Sequence, residues 1–313
     1  MDLTLAMTAL GVGLLMLVGG GDLLVQRCAH LARSFSVPKA IVGAVVIGFG
    51  TSLPELFVSL FAAQKGSPGL ALGNVVGSNI ANVGLILGLG AALGTLHVQR
   101  SITRSDLPLG VLTALLLILW LGTDREIGRL EGAVLLTVFA FYIAMNIRET
   151  RRFQADEPVE APASWHPVKD TLGMLGGLAA ILLGAQLLVG GAIDIARALE
   201  VDEDIIGLSV VAIGTSLPEL AAIVAAVRQK ETDLAVGNVA GSNLFNLLFV
   251  LGTTAVVHPI PVPLRMQEYD FLILAIFSLL AFPLLSRSRR IGRAQGTLML
   301  AAYVAYIGWL WVG

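Results

Sequence analysis

The chain has 313 residues, of which 56% are hydrophobic and 13% charged, with a mean hydropathy of +0.84 and a formal net charge of −2. So little charge over so much apolar sequence excludes an ordinary soluble domain and a basic nucleic-acid-binding surface. The single cysteine, Cys28, excludes an internal disulfide.

Apolar stretches recur at roughly 3–30, 39–64, 70–96, 106–123, 127–147, 169–197, 204–227, 233–258, 269–286 and 292–312. Crossing a hydrocarbon core takes about 20 helical residues, against about 10 in a barrel strand, and lipid offers the backbone no hydrogen-bond partners. The expectation is therefore an all-α membrane protein of ten transmembrane helices. The first stretch lacks the basic flank and small-residue cleavage site of a signal peptide, so it reads as a retained helix. Within the second, GFGTSLPEL (48–56) sets a proline and a glutamate into apolar surroundings; Pro54 predicts a helix break near Gly50, and Pro218 one near Gly214. Residues 149–168 are polar and rich in Pro and Glu, and read as a linker too short to hold a folded module. Placing Lys and Arg on alternate sides of the ten helices gathers about 15 of the 20 on one side, Arg148, Arg151, Arg152 and Arg290 among them. The positive-inside rule makes that side, and the linker, cytoplasmic and puts both termini outside.

The chain is duplicated. GTSLPEL at 50–56 recurs at 214–220, and GNVVGSN at 73–79 returns as GNVAGSN at 237–243, at a constant offset of 164. Across 43–90 and 207–254, 21 of 48 positions are identical. Five helices per copy is an odd number, so the second copy (169–313) must cross in the opposite sense to the first (1–148). Inverted repeats with interrupted helices at matching positions mark secondary transporters with a site near the bilayer midplane.

The breaks free backbone carbonyls, which cost several kcal/mol in hydrocarbon unless they line a polar cavity. Thr51 and Ser52 share a helix face with Glu55, and Thr215 and Ser216 share one with Glu219. Ser78 with Asn82, and Ser242 with Asn246, form the second pair of polar faces. All offer oxygen, and no His or Cys joins them, which favours hard cations such as Ca²⁺ or Na⁺ over zinc, copper or iron. Two glutamates at mid-membrane with no Lys or Arg nearby need compensation, and bound cations supply it. Competition between Ca²⁺ and Na⁺ for one pair of acids gives exchange rather than leak.

The four motifs resemble the α1 and α2 repeats of the sodium/calcium exchangers, in the calcium:cation antiporter superfamily. The resemblance covers essentially the whole chain and implies a ten-helix fold in which the first helix of each half slides across the rest. It implies Na⁺/Ca²⁺ antiport without a cofactor or an obligatory protein partner. Its ligand set falls on Glu55 and Glu219, with Thr51, Ser52, Thr215, Ser216, Ser78, Asn82, Ser242 and Asn246; the carbonyls of Gly48 and Ala212 are weaker candidates. Position 246 is often Asp in prokaryotic and potassium-dependent relatives, and Asn there leans away from K⁺ dependence. H⁺/Ca²⁺ exchange and a cation channel remain the alternatives, and nothing in the sequence pairs a nucleophile with a base as an enzyme would.

Outside these motifs, Asn74, Asn79, Asn238 and Asn243 are expected to cap breaks in their helices. Gly77, Gly88, Gly241 and Gly252 are expected at close helix contacts. Asp22 is expected to pair with Arg27, while Asp106 and Asp270 complement helix N-termini. The acidic run 200–204 reads as a solvated turn, and His97 and His258 carry no assigned role.

Overall fold

The computed structural model describes residues 3–99, 102–121, 125–156, 165–199, 214–264 and 266–312, nearly all of them helical. Helix α1 (Leu3–Ser34) runs unbroken until Ser36 turns into the left-handed region at φ 51° and Pro38 stops any continuation. Then come α2 (Lys39–Val42), a π-helical segment (Gly43–Gly48), α3 (Phe49–Thr51) and α4 (Leu53–Gln64). Helix α5 (Pro68–Ala81) passes through a π segment (Asn82–Leu87) into α6 (Gly88–Leu93). A further π segment (Ile102–Asp106) leads into α7 (Leu107–Leu121), and α8 (Arg129–Asp156) follows.

The second copy repeats this order. It has α9 (Pro167–Ala198), α10 (Leu217–Arg228) and α11 (Thr232–Leu244), which continues through a π segment (Phe245–Val250) into α12 (Leu251–Val257). A π segment (Met266–Asp270), α13 (Phe271–Ser288) and α14 (Arg293–Val312) complete it. Among the described residues five helices are long and apolar enough to cross a membrane, and Lys39–Thr51 with Leu53–Gln64 makes a sixth if that bent pair is one span. Helix α8 extends to Asp156, eight residues into the expected linker, because ETRRFQAD contains no Gly or Pro to stop it. The expected span start at 204–213 and the acidic run 200–204 lie outside the described residues.

The fold is mostly helical, as expected of an all-α membrane protein; among the described residues the exceptions are four two-residue strands, β1 (Leu96–His97), β2 (Glu126–Ile127), β3 (Ile260–Pro261) and β4 (Arg290–Ile291), which tie helix ends together. Their pairing is reciprocal. Strand β1 bonds β4 with Leu96 opposite Ile291, and β3 bonds β2 with Ile260 opposite Ile127. At the 164-residue offset each pair is the counterpart of the other.

The helices obey the same reciprocity. A Cβ on Gly296 of α14 would come within 2.6 Å of the Gly88 carbonyl oxygen of α6, and one on Gly132 of α8 within 2.8 Å of the Gly252 oxygen of α12. The contact of α1 with α9 is antiparallel. Gly13 faces Gly184, Gly20 faces Gly177 and Gly191 faces Ala6, with an added Cβ at any of these glycines 2.7–3.0 Å from the opposing carbonyl. Small residues seven apart on both helices let the two backbones touch along their length. Beyond the glycines, Arg27 of α1 donates to Asp170 of α9 at 2.8 Å.

That ion pair corrects the expected Asp22–Arg27 contact, which fails because α9 brings an acid to Arg27 from across the fold. Asp22 instead meets Arg228 at 3.5 Å, and its carbonyl accepts from the Gln229 amide at 2.8 Å. The two acids should behave differently. The Asp170 side chain is 2% exposed and also accepts the His166 N–H at 2.8 Å, so Asp170→Asn should be the more destabilising change. Asp22 and Arg228 are 38% and 56% exposed, so Asp22→Asn should cost roughly 0–1 kcal/mol. Thermal unfolding of the two variants in detergent, side by side with the parent, checks the contrast.

Candidate cation site

Glu55 and Glu219 sit in the first turns of α4 and α10, where the helix dipole favours a carboxylate. The breaks that create these helix starts fall at Ser52 (φ −88°, ψ 8°) and Ser216 (φ −91°, ψ 2°), two residues beyond the expected Gly50 and Gly214. The reason is local. Each proline occupies the first turn of the new helix, where no N–H is required, and the Ser52 N–H still reaches the Gly48 carbonyl at 3.1 Å, preserving the upstream helix through Thr51. The axis bends by 42° there.

Two close crossings bring the copies together. A Cβ on Gly48 would meet the Ser242 nitrogen at 2.9 Å, while one on Gly241 would run into the Ala44 backbone and one on Gly237 into that of Ala40. Helix α11 therefore lies directly on α2 and the π segment after it. Ser242 donates to the Gly48 carbonyl at 3.2 Å, and Thr51 donates to the carbonyls of Ile47 at 3.0 Å and Gly48 at 3.4 Å. The Gly48 oxygen is thus already engaged by the protein.

Both glutamates are 1% exposed, and Thr51, Ser52, Ser78, Asn82, Ser216, Ser242 and Asn246 are buried with them; Thr215 is half-buried. Ser52, from the first break, donates to Glu219 Oε1 in the second copy at 2.9 Å. Ser78 lies beside the Glu55 carboxylate, and the two glutamates are near enough to feel each other's charge. Each glutamate keeps one buried oxygen, Oε2, without a hydrogen-bond partner. So do Asn82 Oδ1 and both terminal atoms of Asn246. Buried polar atoms are normally satisfied, so a cluster of open oxygens from two carboxylates and two amides is a donor set for hard cations. Among the described residues no group of three His, Cys, Asp or Glu gathers elsewhere.

The asparagines expected as caps do other work. Asn74 donates to the Glu55 carbonyl at 3.0 Å and to Ser59 Oγ at 2.9 Å, bracing the turn that carries Glu55. Ser59 went unread in the sequence although it stands four residues after Glu55 on the same face. In the second copy Ile223 replaces Ser59; Asn238 Nδ2 is left without a partner, and its carbonyl lies 3.5 Å from the Thr51 hydroxyl oxygen. Asn79 donates back to Val75 O at 2.8 Å, within α5, and Asn243 accepts from Asn82 across the copies at 2.9 Å. The π segments were also unread; those of Asn82–Leu87 and Phe245–Val250 carry Asn82 and Asn246, and such bulges frequently mark functional positions. Because Asn74 holds the backbone carbonyl of Glu55, Asn74→Leu is expected to unseat that turn and raise the half-saturating Ca²⁺ concentration for transport about tenfold, corresponding to roughly 1.4 kcal/mol. Concentration-dependent ⁴⁵Ca²⁺ uptake measures it.

A helical, internally duplicated membrane fold around a buried oxygen cluster belongs to the class of cation transporters. The family model for the sodium/calcium exchanger protein matches residues 5–148 and 169–312, and the chain belongs to that family. Solved structures of the sodium-calcium exchanger NCX_Mj superpose with a TM-score of 0.85 at 32% identity, covering 98% of each chain. The sodium/calcium exchanger MaX1 of Methanosarcina acetivorans is 28% identical, covering 95% of each chain. The inner membrane protein YrbG of Escherichia coli is 34% identical over 98% of this chain and 97% of its own. The protein is accordingly an integral, multi-pass membrane exchanger of cations.

Proposed function

We propose that the protein is a secondary antiporter that exchanges Na⁺ for Ca²⁺ by alternating access. Glu55 and Glu219 form the centre of the ion site, with Thr51, Ser52, Thr215, Ser216, Ser78, Asn82, Ser242 and Asn246 around them. The architecture in this reading is ten helices in two inverted five-helix repeats, 1–148 and 169–313, with a cytoplasmic linker at 149–168 and both termini outside. Reciprocal strand pairs and the antiparallel contact of α1 with α9 support it. The observation that carries the function is the Ser52–Glu219 bond, which ties the break of the first copy to the acid of the second, with an open oxygen left on each of the two buried glutamates. Two buried carboxylates that share no Lys or Arg are matched in charge by one Ca²⁺ or by two Na⁺. Either filling neutralises the pair, and the empty site, doubly charged, crosses poorly; exchange follows.

Neither Asn82 nor Asn246 is an acid, so the site lacks the extra carboxylate that would favour K⁺ or H⁺ as co-substrate. Reconstituted vesicles loaded with Na⁺ and diluted into Na⁺-free buffer should accumulate ⁴⁵Ca²⁺, whereas equal pH or K⁺ gradients should not. Uptake driven by the pH gradient alone would replace this reading with H⁺/Ca²⁺ exchange. Non-saturating flux indifferent to any counter-ion would make the protein a channel.

A further inference from the structure

Apart from the central cluster, the fold holds a small cavity of about 30 Å³ whose walls are mostly apolar, Leu107 and Leu247 among them, with Asn79, Asp106, Asn243 and Ser278 as its polar lining. A volume near 10–15 Å³ suffices for one water, so this space has room for one ion with a water. It touches the central site through one residue: Asn243 lines the cavity and accepts the Asn82 amide at 2.9 Å.

Three of the four polar side chains, those of Asp106, Asn79 and Ser278, offer acceptor oxygens. Asp106 is 6% exposed and receives the Ser105 hydroxyl at 2.9 Å, and no ion pair reaches it among the described residues. The charged neighbour that acts on it is another acid, Glu149 of α8. Asn79 is 1% exposed, its amide is committed to Val75, and its Oδ1 has no partner. Ser278 donates its hydroxyl to Leu274 O at 2.8 Å, which leaves the lone pairs of its oxygen free.

Duplication supplies an internal comparison. In the second copy Tyr306 lies within hydrogen-bonding distance of Asp270, at 3.4 Å. In the first, the counterpart Tyr142 is buried with its hydroxyl unpartnered, and Asp106 faces the cavity instead. Ala114 stands where α13 has Ser278, so the counterpart position around Asp270 lacks that oxygen as well.

We infer that this cavity is a monovalent-cation site, separate from the transport site, in which Asp106, Asn79 Oδ1 and Ser278 Oγ hold one Na⁺. One carboxylate matches one positive charge; a divalent ion would leave an uncompensated charge buried. Oxygen donors and a tight volume suit Na⁺. Asn243, which lines the cavity and accepts from Asn82, places the ion beside the transport site without sharing its ligands.

The test removes the central acids first. The full-length chain carrying Glu55→Gln and Glu219→Gln, purified in detergent, is titrated with ²²Na⁺ in choline buffer and, separately, with ⁴⁵Ca²⁺. Saturable binding of one Na⁺ and none of Ca²⁺ is expected. Adding Asp106→Asn should weaken the Na⁺ binding at least tenfold, and adding Asn79→Leu should weaken it in the same direction. Size-exclusion profiles report folding, and where Asp106→Asn fails to fold, Asn79→Leu decides. No saturable Na⁺ binding in the double variant, or binding indifferent to the cavity substitutions, overturns the inference and makes the cavity a water pocket. Since transport is not the readout, this outcome is independent of whether Na⁺/Ca²⁺ exchange itself is found.

Discussion

Glu55→Gln and Glu219→Gln are each expected to abolish Na⁺-driven ⁴⁵Ca²⁺ uptake, and each is expected to leave a folded protein. Both side chains are 1% exposed and share one polar cluster, so either substitution removes half the negative charge available to a divalent ion. Deleting one partner of a buried charge pair costs about 2–5 kcal/mol, which translates to a loss of roughly thirty- to several-thousandfold. Glutamine keeps the shape and can still accept from Ser52. Relieving the repulsion between two buried acids should also stabilise the ion-free state, so thermal unfolding in Na⁺-free, chelated buffer should occur at or above the parent's temperature. Added Ca²⁺ is expected to raise the unfolding temperature of the parent, and the same variants should lose that rise. Full uptake in both variants, with that rise retained, would remove the glutamates from the site.

The second large effect concerns the helix crossing beneath the site. Gly241→Val should prevent assembly of folded protein, because a Cβ there collides with the backbone of Ala44, and no choice of rotamer moves a backbone. Overpacking usually costs about 1–3 kcal/mol when side chains can shift; here a helix must move, and Ser242, next in sequence, would lose its bond to the Gly48 carbonyl. Gly11→Ala and Gly19→Ala make the contrast. Both glycines are exposed on α1 with nothing within 4 Å of an added Cβ, so alanine should be neutral or stabilise the helix by up to about 1 kcal/mol. Monodispersity on size exclusion after extraction from membranes distinguishes the outcomes: a sharp peak for the α1 variants and aggregate or no protein for Gly241→Val.

The parts of this fold legible in the sequence are those written in side-chain chemistry at fixed spacing. Glu55 with Thr51 and Ser52, and Asn82 with Ser78, were identifiable because hydroxyl, amide and carboxylate are rare in apolar helices and recur 164 residues later. Features set by backbone geometry were not. Proline marks where a helix cannot donate, but whether the turn opens at Gly50 or Ser52 depends on which upstream bond survives, here that of the Ser52 N–H to Gly48. The π segments leave no trace in hydrophobic periodicity, since one extra residue per turn shifts the pattern too little to notice over six residues. Long-range partners were equally hidden. Arg27 lies five residues from Asp22 and 143 from Asp170, and only the packing of α1 on α9 makes the distant acid the near one. Asn74 and Asn243 were noticed but misassigned as caps, because their partners, the Glu55 carbonyl and Asn82, sit on other helices.

The exchange of strands and helices between the copies has a consequence for how the molecule comes into being. Neither copy completes its own interior: α8 finishes beneath α12, α14 beneath α6, and each short ladder needs one edge from either side. A ribosome that has released only the first 156 residues has therefore made something with its seams still open, waiting for its other part. Cutting the gene within 157–164 and expressing both fragments in one cell should restore an active exchanger, while either fragment alone should be cleared by proteolysis.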